Sequence, residues 1–571
     1  MKTKFRSLLI ASAAATVCLP VQAGISFLGG EAIANGGEIV SFAGGTLLTT
    51  DSLAGSSHGV QSYTITGSGT LTTGVRASLD AALGTTATDI SSISSVLADS
   101  RGFGVATVIP TATATATPGQ LGPVGRIAFF NLSTGSLLHT LDVGYHPDSV
   151  TITPDGSKLL IANEGEFVST AVDTTAGNAR PGSVSVVNIS SVTGGNFTTA
   201  IPALTSGAVA TYDFTAPNLG SGVDLSATRN NRLDTLTSKN PNAADIEPEY
   251  ITATNTTAYI SLQEANAIAQ LNLTTGKYTN ISSLGTITQT IDASDRDGAG
   301  NTATIAINDV VVGLPMPDTI TKFDRSGTTY IVTANEGDAR PDDGDINRAT
   351  TAVVGFTTTN TDIARLNILK DVGGDANVDG KPDVPTMMGT RSFSIWNSST
   401  GALAFDSGSM IEQFVAANNP ASFNMNSGLT SNMDTRSDDK GPEPEALAFA
   451  SFNGRDFVFV GNERENGIFQ FDITDLNSVF IAGYFNPITG TTDGVLGGAY
   501  ISPESIFFIA AADNPTGKNI IVVGFEGTGG NGSVGVFEVT ATSAIPEPST
   551  TAALAGAALL GFAAMRRRRV R

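Results

Sequence analysis

The sequence is poor in cysteine, histidine and tryptophan. Its 571 residues include one Cys, three His and one Trp. The cysteine, Cys18, lies in a segment identified below as a leader, so the exported chain is predicted to hold no disulfide although its compartment would permit one. With no other thiol and only His58, His139 and His146, the chain offers no Cys nucleophile and too few imidazoles for a typical two-zinc phosphatase centre.

Basic residues are also scarce. Lys and Arg number 31 against 53 Asp and Glu, which gives a formal charge of −22 at pH 7. Eight of the basic residues lie in the leader and the tail, so the processed chain is near −30 and nucleic acid is excluded as a partner. This much carboxylate favours cation binding, but a solvated acidic surface that keeps an exported protein soluble is an equal alternative.

The N-terminus has the pattern of a secretory leader. Lys2, Lys4 and Arg6 precede an apolar stretch at residues 8–19, and small residues end it at Ala23. This pattern predicts a signal peptide over residues 1–23, removed by signal peptidase.

The C-terminus carries a three-part tail over residues 545–571. Pro546, Glu547 and Pro548 precede an apolar run at 550–565 and an Arg cluster at 566–569. About 16 apolar residues are near the lower limit for one transmembrane helix, and the Arg cluster marks its cytoplasmic end. The tail resembles the PEP-CTERM sorting signal of Gram-negative bacteria. That resemblance implies a transient anchor in the inner membrane, cleavage by an exosortase-type enzyme, and delivery to the cell envelope or extracellular matrix.

Between these ends a unit recurs seven times. Its clearest copy begins at Pro147-Asp148, turns at residues 154–156 and ends its second strand at Asn163-Glu164. Four further copies begin at Pro248-Glu249, Pro317-Asp318, Pro444-Glu445 and Pro503-Glu504, and two earlier units keep the strands without the acids. Alternating apolar residues and tight turns predict an all-β, seven-bladed β-propeller over residues 36–540, with long loop insertions.

In a propeller, strands of this kind start at the central channel. We therefore expect the acids of the repeats to gather at an acidic channel mouth and to bind metal there; the predicted ligands are Asp148, Glu249, Asp318, Glu445 and Glu504. Calcium fits such a set, because it prefers carboxylate oxygens. The alternative is structural: each proline-acid and Asn-Glu pair latches neighbouring blades through side-chain to backbone hydrogen bonds.

One insertion contains a separate candidate calcium loop. Asp375, Asn377 and Asp379 place oxygen donors at every second position before Gly380, and Asp383 falls at the ninth position of an EF-hand-like loop. The twelfth position holds a threonine where an EF-hand loop has Glu. The sequence predicts calcium in this truncated loop.

Several motifs together resemble the choice-of-anchor I family of bacterial surface propellers, which are similar to the mesenchyme-specific cell-surface glycoprotein of biomineralising animals. The motifs lie at residues 145–148, 163–166, 245–250, 333–338, 391–396 and 436–445. The resemblance covers about residues 36–540. It departs at Phe525, where the family pattern has Asn, and around Asn377, where the family loop is richer in Asp.

Two functions remain open at this point. The first is a noncatalytic, calcium-stabilised surface or matrix protein that binds exopolysaccharide or another envelope component. The second, implied by the family's alkaline-phosphatase-like and phytase-like labels, is a calcium-dependent phosphoesterase. In it the channel acids would hold the ions and Arg391 or Arg436 would clamp the phosphate.

Overall fold

The predicted all-β class is confirmed. Of the residues that the structure describes, 48% lie in strands and 6% in helices. The computed structural model describes residues 24–541, apart from 35, 54–56, 83–89, 112–121, 166–179, 227, 230–242, 244–245, 340–345, 353–361, 377, 379, 429–431, 488–495 and 530. The predicted leader and sorting tail lie outside these residues. Within them, no helix combines the length and the apolarity that a bilayer crossing needs.

The strands are short and regular. Those of the first half are β1 Ile25–Ala32, β2 Gly36–Ala43, β3 Thr46–Leu53, β4 Ser57–Ile65, β5 Leu71–Ser78, β6 Ile90–Ser92, β7 Val96–Asp99, β8 Phe103–Pro110, β9 Arg126–Asn131, β10 Leu137–Asp142, β11 Pro147–Ile152, β12 Lys158–Asn163, β13 Ser183–Asn188, β14 Val209–Asp213, β15 Pro248–Ala253, β16 Thr257–Leu262, β17 Ala267–Asn272 and β18 Lys277–Ser283.

The second half continues the pattern with more interruptions. Its strands are β19 Ile287–Ile291, β20 Asp309–Leu314, β21 Ile320–Arg325, β22 Thr328–Ala334, β23 Ile346–Arg348, β24 Asn367–Leu369, β25 Thr386–Met388, β26 Phe393–Asn397, β27 Leu403–Asp406, β28 Pro444–Phe452, β29 Arg455–Asn462, β30 Ile468–Asp472, β31 Phe480–Phe485, β32 Pro503–Ile509, β33 Ile520–Thr528 and β34 Asn531–Val539. The helices are α1 Leu79–Ala82, α2 Phe197–Ala200, α3 Ala349–Ala352 and α4 Met410–Asn418.

Within the described residues, 28 strands pair as seven antiparallel units of four. In chain order, units 1 to 7 are β2–β5, β7–β10, β11–β14, β15–β18, the set β21, β22, β26 and β27, then β28–β31, and finally β32–β34 with β1. Unit 7 is completed by the N-terminal strand, which pairs along β34 from Ile25 to Ala32. The paired strands therefore extend upstream of residue 36, the predicted start of the domain.

Neighbouring units pack through their first strands and through shared apolar cores. The first strands contact one another in sequence from β2 to β32, and β32 contacts β2. One core cluster joins Leu160 and Val184 of unit 3 to Ile260 and Leu271 of unit 4. The alternating apolar residues of each strand thus bury both faces of a unit against its neighbours.

The insertions of unit 5 form two small sheets, β19-β20-β25 and β23-β24. They are tied to the loop that precedes β28. Arg348 and Arg365 both pair with Asp438, at 2.7 Å and 2.6 Å, and the Asn367 amide donates to the Asp438 carbonyl at 2.9 Å. This loop also carries Lys440 and Glu443, so the insertions hold in place part of the site described next.

Candidate metal centre

Four of the five repeated acids stand at irregularities in the first strand of their units, and Asp318 of unit 5 precedes its strand. In unit 3, Pro147 is opposite Asn163 and Ser149 is opposite Ala162, which leaves Asp148 as the extra residue of a β-bulge. The registers of units 4, 6 and 7 shift in the same place, at Glu249, Glu445 and Glu504. A bulge re-aims a side chain, and a proline without an N–H tolerates the first position of a strand. The bulge at the proline-acid pair therefore directs the carboxylate away from the face that the regular alternation of side chains along the strand would give it.

The residue before the proline has an unusual backbone in four units. His146, Met316, Glu443 and Ser502 have φ angles of 46°, 44°, 53° and 53°. Side chains rarely adopt this left-handed region, and a following proline restricts the backbone further. The same strain at four equivalent positions indicates a feature of the repeat that the surrounding structure imposes.

Latches between units are present, but serine and asparagine side chains make them. Ser94, Ser149 and Ser505 donate to the carbonyls of Pro147, Glu249 and Glu38 in the next unit, at 2.6, 2.5 and 2.5 Å. The side-chain oxygens of Asn266 and Asn466 accept the amides of Met316 and Ser502, both at 2.9 Å. Part of the latching that the sequence attributed to the acidic pairs thus comes from their neighbours, and the pairs contribute as well, since Gln263 of unit 4 donates to Glu336 Oε2 of unit 5 at 2.9 Å.

All five predicted channel acids lie in groups of converging carboxylates. The groups are Asp148, Glu164 and Glu249; Asp318, Glu336 and Glu445; Glu336, Glu443 and Glu463; and Glu445, Glu463 and Glu504. Within each group the candidate ligand atoms lie within 4.8 Å of one another. We call these nine residues the acidic cluster. They come from units 3 to 7, so residues up to about 350 positions apart in the chain share one site.

Crowding and burial shift the titration of the cluster. Burial and then Glu164 raise the pKa of Asp148 to about 7. Burial raises the pKa of Glu504 to about 8, with a further contribution from Glu526 and Glu38. Glu249, Asp318 and Glu445 are shifted in the same direction, first by burial and then by neighbouring carboxylates. Burial and like charge both disfavour the ionised forms of these groups.

One side of the cluster is different, because cations of the chain reach it. Lys440 Nζ lies 2.5 Å from Glu336 Oε1 and 2.8 Å from Glu443 Oε2. Arg436 pairs with Glu443, and Arg464 Nη2 lies 2.8 Å from Glu463 Oε1. Burial acts to raise the pKa of Glu443, but these cations outweigh it and leave the pKa below its usual value. The sequence motif around Lys440 gave no reason to assign it this role.

A tyrosine is coupled electrostatically to the cluster. Tyr250 follows Glu249 in the chain and packs on the core that contains Tyr259 and Ile320. Burial raises the pKa of its phenol, and so do Asp318, Asp148, Glu445 and Glu504. Carboxylates of four other units thus act on the titration of one ring.

The candidate calcium loop is described in part. The Gly380 amide donates to Asp375 Oδ2 at 2.9 Å, and the Ala376 amide donates to Asp383 Oδ2 at 2.6 Å. Gly380 has a φ of 82°, which explains why glycine follows the donor pattern. Asn377 and Asp379 lie outside the described residues, and calcium binding by this loop stays a prediction.

The predicted phosphate clamp does not fit Arg391. Its side chain is 1% exposed. Its guanidinium donates to Glu412 Oε1 and to the Asp292, Ser437 and Asp439 carbonyls, at 2.6 to 2.7 Å. Arg391 thus joins buried segments, and its proposed contact with a substrate phosphate is wrong. Arg436 is engaged by Glu443 and by Asp439 at 3.0 Å.

Comparisons with known proteins agree with the sequence motifs. The model of the choice-of-anchor I domain matches residues 48–476, and that of the PEP-CTERM protein-sorting motif matches 544–569. Gigasin-3a of Magallana gigas is 33% identical over 172 residues, which span 28% of this chain and 60% of that protein.

Solved structures match over most of the chain at low identity. Kuenenia stuttgartiensis hydrazine synthase has a TM-score of 0.43 and 9% identity, with 89% of this chain and 97% of that chain covered. The C-terminal WD40 domain of Sif2 has a TM-score of 0.39 and 9% identity, with 90% and 98% covered.

Proposed function

The chain belongs to the choice-of-anchor I domain family and carries a PEP-CTERM sorting motif, and from that premise we propose a calcium-stabilised, seven-bladed β-propeller that binds a component of the envelope or matrix. The sorting motif marks an exported bacterial surface protein that an exosortase-type enzyme processes. Removal of the leader by signal peptidase and a transient stay in the inner membrane complete this proposal.

The strand pairing supports the propeller. Units 1 to 7 follow one another in the chain, their first strands contact in a cycle, and β1 completes the unit that contains β34. A propeller needs this arrangement, because radial closure protects the edges of its sheets. Joining the first strand to the last unit then holds the ring shut.

The proposal that calcium binds rests on one observation: nine carboxylates from five units converge in the acidic cluster. Within the described residues, Lys440, Arg436 and Arg464 pair with Glu336, Glu443 and Glu463 of this cluster. Calcium takes six to eight oxygen ligands and accepts flexible geometry, so it suits carboxylates that arrive from separate strands. Bound ions would then join units that otherwise repel one another.

The insertions support a role in binding a large partner. They pack beside the loop that carries Lys440 and Glu443, through Arg348, Arg365 and Asp438. A polymer lying on the insertions would therefore run next to the cluster. Anionic exopolysaccharide is the partner class that bound calcium would recruit.

The test compares the purified exported protein in calcium and in EDTA. We expect elemental analysis to find calcium and thermal unfolding to shift upward with added calcium; at 100 times the dissociation constant, one site adds about 2.7 kcal/mol. Magnesium at the same concentration is the control, because its demand for octahedral geometry suits this site less. A protein that carries no metal and melts identically in both solutions would overturn the proposal.

A further inference from the structure

The group formed by Asp148, Glu164 and Glu249 spans a junction between two units. Asp148 is the bulged residue of β11 and Glu164 follows β12, both in unit 3, whereas Glu249 belongs to β15 of unit 4. Their candidate ligand atoms lie within 4.8 Å of one another. Calcium binds oxygens at about 2.3–2.6 Å, so ligands on opposite sides of one ion are about 5 Å apart. The spacing of the three side chains therefore matches a single ion.

Glu249 supplies an independent sign that a ligand belongs here. Its side chain is 8% exposed, and among the described residues no hydrogen-bond donor or cation contacts its carboxylate. A buried carboxylate without a partner is costly. The backbone nevertheless holds it in place, since Ser149 donates to the Glu249 carbonyl at 2.5 Å and the Tyr250 amide donates to Ser261 Oγ at 2.9 Å.

The same cluster contains a group of equal size that already has its cation. Glu336, Glu443 and Glu463 also converge within 4.8 Å. There the ammonium of Lys440 lies 2.5 Å from Glu336 and 2.8 Å from Glu443. One group of three carboxylates is thus built around an ammonium, whereas in the group around Glu249 the basic side chain seen within the described residues is His146, at Glu164.

We infer that Asp148, Glu164 and Glu249 hold one hard divalent cation of the calcium class, which bridges units 3 and 4. The inference rests on the proposed function and names one position within it. His146 Nδ1 lies 2.5 Å from Glu164 Oε2 and orients that ligand, as imidazoles beside metal carboxylates do. Three carboxylates without a thiolate select calcium over softer metals.

Terbium is a probe of ion binding near Tyr250, and the variants described next assign the ion to this position. Tb³⁺ occupies oxygen-lined calcium sites and emits when a nearby aromatic ring is excited, and Tyr250 is adjacent in the chain to Glu249. In the purified exported protein we expect sensitised emission that calcium displaces. Tyr250→Phe should lose most of this emission while calorimetry still counts the same number of bound calcium ions.

The deciding variant is Glu249→Gln, which keeps the shape and removes the charge. We expect one calcium ion fewer per chain, or at least a tenfold weaker affinity for one ion. Glu538→Gln is the matched control, because Glu538 lies in β34 and pairs with Lys518 at 2.5 Å away from the cluster. Should Glu249→Gln fold poorly, Glu164→Gln tests the same position from a more exposed side chain.

The outcomes separate this inference from the proposed function. If Glu249→Gln and Glu164→Gln keep the full calcium count while Glu445→Gln or Asp375→Asn loses an ion, the position is wrong and calcium stabilisation stands. If the wild-type protein binds neither Ca²⁺ nor Tb³⁺, both fail. Loss of one ion in both junction variants, with the control unchanged, supports the position.

Discussion

Glu443 and Glu249 are both buried in the acidic cluster, at 0% and 8% exposure, and they have opposite pKa shifts. Burial acts to raise both pKa values. At Glu443, Lys440, Arg436 and Arg464 more than offset burial, whereas at Glu249 the neighbouring carboxylates add to it. Burial alone therefore does not determine the state of an acid here. Cations of the chain neutralise the side around Lys440, and we propose that a cation from solution does so around Glu249.

Removing Lys440 should destabilise the side of the cluster on which cations of the chain neutralise the carboxylates. In Lys440→Met, Glu336 and Glu443 would keep their burial and lose a shared ammonium. Breaking a buried ion pair by deleting one partner costs about 3–5 kcal/mol. We expect a loss of this size in the free energy of unfolding, measured by urea denaturation.

Lys322→Met is the matched control for that variant. Lys322 lies 3.4 Å from Asp324, whose side chain is 60% exposed. A pair of this kind is worth about 0–1 kcal/mol. Equal losses in the two variants would contradict the importance given to the Lys440 contacts.

We expect the acids with raised pKa values to determine how the stability of the protein depends on pH. The pKa of Asp148 is raised from 3.8 to about 7 and that of Glu504 from 4.5 to about 8. Between pH 5 and 8 the folded protein therefore retains protons that the unfolded chain releases, so stability falls as the pH rises. We expect the metal-free protein to lose several kcal/mol over this range in urea, since each unit of raised pKa is worth about 1.4 kcal/mol.

Calcium provides the control for the pH experiment. Bound ions stabilise the ionised carboxylates, so saturating calcium should flatten the decline. Acids with lowered pKa values, such as Asp155 at about 2, are ionised in both states above pH 5 and do not oppose it. Stability that rises from pH 5 to 8 in EDTA would show that the cluster is not electrostatically strained.

A third prediction compares one variant from each side of the cluster. The expected changes in the free energy of unfolding have opposite signs. Without metal at pH 8, Glu249→Gln removes repulsion and should stabilise the fold by about 1–2 kcal/mol, since an uncompensated buried charge is unfavourable. Glu443→Gln leaves three cations without their shared carboxylate and should destabilise it. Urea denaturation of both variants in EDTA gives the measurement. Two changes of the same sign would remove the distinction between the sides.

Much of this arrangement was predictable because each repeat has a pattern that is visible within a short stretch of sequence. A proline, an acid and an alternating strand mark units 3 to 7, and these patterns correctly indicated which strands pair. The grouping of Asp148 with Glu249 also follows from equivalent positions in neighbouring units. Such signals lie within a few residues of one another, so one sequence is enough to detect them.

What the sequence analysis missed depends on distant partners. Lys440 acts through Glu336, which is 104 positions away, and nothing in its own motif indicates that contact. Unit 1 was predicted to lack the acids, yet burial and Glu526 raise the pKa of Glu38 in its first strand. β1 completes unit 7 from about 500 residues away. Pairings of this range leave no local pattern.

The smallest effect predicted concerns the hydrogen bond that holds Glu249 on its side of the cluster. Ser149 Oγ donates to the Glu249 carbonyl, and Ser149→Ala should cost about 1 kcal/mol, the usual net value of such a bond. Ser505→Ala removes the equivalent bond to Glu38, between units 7 and 1. Stability should fall equally in both variants, but only Ser149→Ala should weaken the calcium response, because it alone loosens a proposed ligand. An equal calcium response in the two variants would show that the position of Glu249 does not limit binding.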